Sequence, residues 1–198
     1  MAFLLLLVVA VFSGIVGALV GLGGGIILVP AVLFLGNTLG LIQNITPQTV
    51  VGLSVIMMIF IGISSTLAYM KSKTVHFKTG LIFFIGSVPG TIFGAWINKG
   101  LDVPSFNLYF GILLIIIAII LIFRDKLKPV KWFVEHGTQF EYIDAQGKKY
   151  IYGYPVWFAI SLTFLVGCMS GLFGIGGGSI LVPAMLILFL FPPHVAVA

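Results

Sequence analysis

Two runs of three consecutive glycines, Gly23–Gly25 and Gly176–Gly178, each precede a short apolar segment that reads as a helix. Adjacent glycines cost roughly 1 kcal/mol each in a helix interior, so each run predicts a break. In lipid, the N–H and C=O groups freed by a break need partners, and the break must be buried in protein or line a cavity. A helix restarting near Ile26 or Ile180 points its unpaired N–H groups at the break. Those groups and the helix dipole favour an anion. The expected ligands are the backbone N–H groups of Gly23, Gly24, Gly25 and Ile26 and of Gly176, Gly177, Gly178 and Ser179, with Ser179 adding its hydroxyl. Pro30 and Pro183 follow within the restarted helices, where each removes a ladder donor and loosens or kinks the helix. A nucleotide is a poor fit, because no Lys-Ser/Thr follows the glycines and no βαβ unit surrounds them.

Other chemistry is sparse. Thr46 and Ser54 follow a polar loop and open a span, which makes them pathway candidates. Ser64, Ser65, Thr66, Ser87, Thr91 and Ser170 are intramembrane hydroxyls whose commoner role is to bond their own helix backbone. No Asp, Glu, Lys or Arg falls in mid-span, unlike most ion pumps and proton relays. The three histidines, His76, His136 and His194, are scattered, so no metal site is expected. No nucleophile–base constellation can be assembled inside the membrane, and neither an enzyme nor a cofactor is expected. Cys168, the single cysteine, cannot form an internal disulfide and reads as a small packing residue.

The elements that must position these residues are membrane helices. Of 198 residues, 60% are hydrophobic and 8% charged, against about 25% charged in a soluble domain. Apolar runs cover about 3–22, 26–35, 49–70, 79–98, 106–123, 155–173 and 179–191. All fifteen charges lie between Lys71 and Lys149, in or beside loops. The net charge of +5 therefore sets orientation, and with no basic face to read bases a nucleic-acid partner is excluded. The positive-inside rule makes the loops 71–78 and 124–153 cytoplasmic, with 36–48 and 99–105 external, in a multi-pass protein of the cell membrane. Residues 3–35 are too long for one straight span, so they form either two crossings or a hairpin of short helices meeting inside the bilayer. In the linker, Lys126, Lys128, Lys131, Trp132 and Phe133 read as an interfacial basic-aromatic segment. The alternation on either side of 144–147 reads as a β-hairpin.

Gly21–Ala31 recurs as Gly174–Ala184, with nine of eleven positions identical at an offset of 153. Such a recurrence inside a membrane protein points to a transporter of two halves. The expected division is a first transmembrane repeat at 1–124, a linker at 125–153 and an incomplete second repeat at 154–198. An odd number of crossings in the first copy makes the halves inverted, the topology favoured here. The second copy stops before its equivalents of the spans 49–70, 79–98 and 106–123, which suggests a C-terminally truncated chain. The spacings Gly17/Gly21, Gly86/Gly90/Gly94 and Gly167/Gly171 fit close helix packing.

On these motifs the chain resembles the sulfite exporter TauE/SafE family of bacterial membrane permeases. The likeness rests on Gly21–Ala31, Thr46–Thr49, Tyr69 with Lys73, Gly86–Ala95 and Gly171–Pro183. It implies an all-α polytopic permease of two repeats that moves small sulfur-containing oxyanions, such as sulfite or sulfonates, out of the cell. The implied partners are that anion and the lipid bilayer, with homo-oligomerisation left open. The alternative is a non-transporting membrane scaffold that packs partner helices through its glycine faces.

Overall fold

The computed structural model describes residues 2–20, 23–38, 40, 45–71, 77–123, 138–143, 149–189 and 191. Its helices follow the apolar runs closely. They are α1 (Ala2–Val20), α2 (Gly25–Leu33), α3 (Pro47–Lys71), α4 (Phe77–Asn98), α5 (Val103–Phe123), α6 (Val156–Phe173) and α7 (Gly178–Leu188), with a π-helical turn at Phe34–Thr38. Two antiparallel strands, β1 (Thr138–Ile143) and β2 (Lys149–Tyr154), pair from Thr138 opposite Tyr154 to Ile143 opposite Lys149. The alternating stretch is therefore a strand pair. The basic-aromatic segment around Lys126–Phe133 and the turn at 144–147 lie outside the described residues.

Among the described residues, four helices, α3 to α6, are long and apolar enough to cross a membrane. Large apolar side chains such as Phe60, Phe84, Ile92, Leu108, Ile122 and Leu165 stand exposed on them. A bilayer is the solvent in which such surfaces are stable. α2 runs on into the π-helical turn, and this apolar stretch, Gly25–Gly36, is shorter than the roughly 20 residues a crossing helix needs. α1 and α2 fold back on each other at the first glycine break, where a Cβ on Gly17 would fall on the backbone of Gly23 and Gly24. α6 and α7 form a second hairpin of the same kind.

The tightest packing joins α4 to α6. A Cβ on Gly86, Gly90 or Gly94 would fall on the backbone carbonyls of Ile160, Phe164 and Cys168 respectively. In return, a Cβ on Gly167 or Gly171 would fall on the carbonyls of Ser87 and Thr91. The two helices run parallel with their backbones in contact, which is the reason for glycine at these spacings.

Polar bonds fix the two ends of this pair. At one end the buried Tyr154 hydroxyl donates to Thr79 Oγ1 at 2.9 Å, inside an aromatic cluster of Phe83, Phe189 and Phe191. Burial pushes the Tyr154 phenol above its ordinary pKa, and the bond to Thr79 offsets part of the rise. Tyr154→Phe is expected to lower stability by about 1 kcal/mol, read as a lower thermal midpoint in detergent. At the other end the buried Asn98 donates from Nδ2 to Leu172 O, while Gln48 Nε2 donates to Asn98 O at 2.7 Å and Leu101 O at 3.0 Å. The starts of α3 and α5 are thereby tied to the ends of α4 and α6.

The short helices leave their breaks in opposite directions. α7 ends beside Tyr154, where Gly153 N–H donates to Phe189 O at 3.4 Å. α2 runs toward the start of α3, and its Leu28, Val29, Val32 and Leu33 share a core with Val50, Val51, Phe106 and Phe110.

Candidate functional site

The two glycine breaks adopt the same backbone conformation. Gly23 has φ 73° and Gly176 has φ 81°, a left-handed region that glycine enters without steric penalty. In each motif the next glycine is already right-handed, Gly24 at φ −64° and Gly177 at φ −66°. The unwound stretch is therefore shorter than the sequence suggests, and the helices restart at Gly25 and Gly178. Gly174 closes α6 in the left-handed region, with its N–H donating to Ser170 O.

The breaks also touch. A Cβ on Gly23 would stand 3.2 Å from Ile175 O and 3.7 Å from Gly176 Cα. A Cβ on Gly25 would collide with Gly174 O. Gly23 and Gly25 of the first motif therefore lie against residues 174–176 of the second. α3 flanks both, with Ser54 Oγ against Gly174 and the Met58 thioether against Gly176.

Beside the second break is a cavity of about 250 Å³. Its walls include Gly177 and Gly178 at the start of α7, and Ser87, Thr91, Thr163 and Ser170 from the α4–α6 pair. The first helical hydrogen bonds of α7 are donated by Ile180 and Leu181, both to Gly177 O. The N–H groups of Gly178 and Ser179 precede them and belong to the set a helix start leaves without intrahelical partners. Thr91 Oγ1 donates to Ser87 O at 2.8 Å and Thr163 Oγ1 to Ala159 O at 2.8 Å. The closeness of α4 and α6 lets hydroxyls from both helices reach one small space.

Several expected site residues take other places. The Ser179 hydroxyl is buried and donates to Gly176 O at 3.0 Å, so it closes the turn and does not present its proton to a ligand. Thr46 is exposed at the start of α3, where its Oγ1 accepts the Thr49 N–H at 3.3 Å and caps the helix. Ser54 is fully buried and donates to Val51 O at 2.8 Å, with its Oγ against the second break. Pro30 lies inside α2, and Pro183 lies buried inside α7. Ile26 falls in the first turn of α2.

Thr163 is a lining residue that sequence reasoning missed. Its signal was the spacing Thr163, Gly167, Ser170, which puts two hydroxyls and a glycine on one helical face. At the offset of 153 these positions map to Ala10, Gly14 and Gly17, so the first copy lacks both hydroxyls. It has instead Ser13, fully buried in α1, whose Oγ has no hydrogen-bond partner among the described residues. No group of three metal-ligating side chains occurs among the described residues.

These features define a helical membrane protein in which two glycine breaks meet. The chain belongs to the sulfite exporter TauE/SafE family, whose description matches residues 6–198. Curated relatives carry transporter names. The probable membrane transporter protein YunE of Bacillus subtilis is 48% identical over all 198 residues, which cover 72% of its own length. The probable membrane transporter protein MJ0441 of Methanocaldococcus jannaschii is 27% identical over 182 residues, 91% of this chain and 60% of that protein. YjnA of B. subtilis, also a probable membrane transporter, is 25% identical over 194 residues, 93% of this chain and 67% of that protein. No solved structure matches.

Proposed function

We propose that the chain forms the larger part of a secondary transporter that moves small sulfur-containing oxyanions, sulfite or sulfonates, across the cell membrane. The family and the names of its relatives support a membrane permease. The observation that carries the anion is the α7 start at Gly177–Gly178, open to a cavity that also holds the hydroxyls of Ser87, Thr91, Thr163 and Ser170. Helix-start N–H groups suit a small oxyanion, which accepts several hydrogen bonds and carries the charge that the helix dipole favours, with the Ser170 hydroxyl as a further donor. Ser87, Thr91 and Thr163 donate to Phe84 O, Ser87 O and Ala159 O, so their hydroxyls give the cavity a polar wall and do not present a proton to the ligand.

The opposite courses of α2 and α7 support an inverted pair of repeats, 1–124 and one that starts at 154, joined by the linker 125–153. With the first hairpin entering and leaving at one end, α3, α4 and α5 give the first repeat three crossings. That odd number inverts the second. The Tyr154–Thr79 bond brings the end of β2 to the start of α4, and the lysines of the adjoining segments support a cytoplasmic position for that end. The scaffold alternative loses its main support, because the glycine faces of α4 and α6 are filled by each other.

The test is sulfite flux in everted vesicles, comparing the 198-residue chain with the same chain extended by the corresponding C-terminal segment of YunE. Saturable flux in the extended chain, with or without flux in the shorter one, is the expected result. No flux in either, with both folded, overturns the reading.

A further inference from the structure

A second, larger cavity of about 470 Å³ lies toward the Asn98 end of the α4–α6 pair. Its lining includes Gln48, Thr91, Ala95, Asn98, Lys99 and Gly171. Thr91 lines this cavity and the smaller one beside Gly177. On α6, Gly171 of the larger cavity directly follows Ser170 of the smaller. On α4, Ser87, Thr91, Ala95 and Asn98 recur at spacings of three to four and share one face, and Lys99 follows in the turn that ends the helix. The run from Ser87 to Lys99 covers about 18 Å, at 1.5 Å per residue, and borders both cavities.

Lys99 is the one charged residue among the described residues that line either cavity. It is exposed at the turn that ends α4. Asp102, the nearby carboxylate in sequence, does not line the cavity; its backbone C=O accepts the Phe106 N–H at 2.9 Å. Gln48 donates both amide N–H groups, to Asn98 O and Leu101 O, and Asn98 donates one of its two to Leu172 O. The Lys99 ammonium is the group in this vestibule whose full positive charge can draw an anion in.

We propose that the vestibule between α3, α4 and α6 is the anion's route to the Gly177–Gly178 site, and that Lys99 recruits the anion into it. This rests on the oxyanion reading above. A cation at the mouth of a cleft with apolar walls concentrates anions there, because low-dielectric walls focus its field. Lys99 remains outside the hydroxyl cavity, where a fixed charge would hold the anion too tightly to release it.

The experiment measures sulfite uptake against concentration in right-side-out vesicles of the YunE-extended chain, which present the Lys99 end to the medium, for the parent, Lys99→Gln and Lys99→Arg. Lys99→Gln is expected to raise KM about five-fold or more with maximal flux held within two-fold, and Lys99→Arg to restore KM. Raising the ionic strength is expected to narrow the gap between parent and Lys99→Gln, since salt screens an exposed charge. Identical KM values in all three proteins, with the parent active, overturn the recruiting role and leave the hydroxyl site standing. An inactive parent overturns both. A Lys99→Gln effect that vanishes in purely zwitterionic vesicles assigns the lysine to lipid headgroups and also overturns the proposal.

Discussion

Gly177→Leu is expected to fold like the parent and to lose sulfite flux by about two orders of magnitude. Gly177 sits at φ −66°, where any L-residue is comfortable. A Cβ there meets only Val166 Cγ1, at an ordinary 3.6 Å. The rest of a leucine side chain must enter the 250 Å³ cavity or displace what binds in it. A fold-neutral change that blocks the site separates binding from packing, which most glycine substitutions here do not. The equivalent Gly24→Leu is a contrast, because its Cβ would collide with the Met57 methyl and stand 3.1 Å from Ser13 O. It is expected to lower the melting point as well as flux. The check is paired, with flux in vesicles and thermal midpoint in detergent for both variants.

The second large effect is structural. Gly90→Leu puts a Cβ onto the Phe164 carbonyl and 3.0 Å from Cys168 N, and neither is the flexible end of a side chain. α4 and α6 must part, and both cavities lie between or beside them. Overpacking of this kind costs typically 1–3 kcal/mol and more when backbone must move, so a loss of about 3 kcal/mol is expected. The reading is a marked fall in folded yield and in detergent melting point. Gly111→Leu serves as the control, since nothing lies within 4 Å of a Cβ built there. A Gly90→Leu protein that melts with the control refutes the α4–α6 pairing.

Much of this fold is legible in the sequence because the bilayer demands it. Apolar runs of about 20 residues between charged loops leave little choice but helices, and the long helices end within a few residues of those runs. The glycine triplets are legible as breaks for a related reason, since no other residue enters the left-handed region so cheaply. The pairing of α4 with α6 is not legible. Small-residue spacings announce a close contact but not its partner, and these two helices are far apart in sequence.

The site is read more coarsely. The sequence placed anion ligands at both triplets, but the hydroxyl-lined cavity stands beside the second, because Thr163 and Ser170 have no counterparts at Ala10 and Gly17. Ser179 looked like a ligand by position; its hydroxyl instead satisfies the Gly176 carbonyl left free by the break. Thr46 looked like a pathway residue and caps α3. A hydroxyl's partner depends on which carbonyl the fold leaves open, and that is a property of three-dimensional geometry. Lys99 reads as a loop charge until the end of α4 is seen to line a cavity.

The central claim is that the start of α7 binds a small oxyanion in the cavity beside it. The most direct measurement is equilibrium binding of radiolabelled sulfite to the purified chain in detergent, beside Gly177→Leu and Gly111→Leu. Saturable binding by the parent and Gly111→Leu, abolished in a Gly177→Leu protein that melts like the parent, is the predicted result. Equal binding by the folded Gly177→Leu protein would contradict the account.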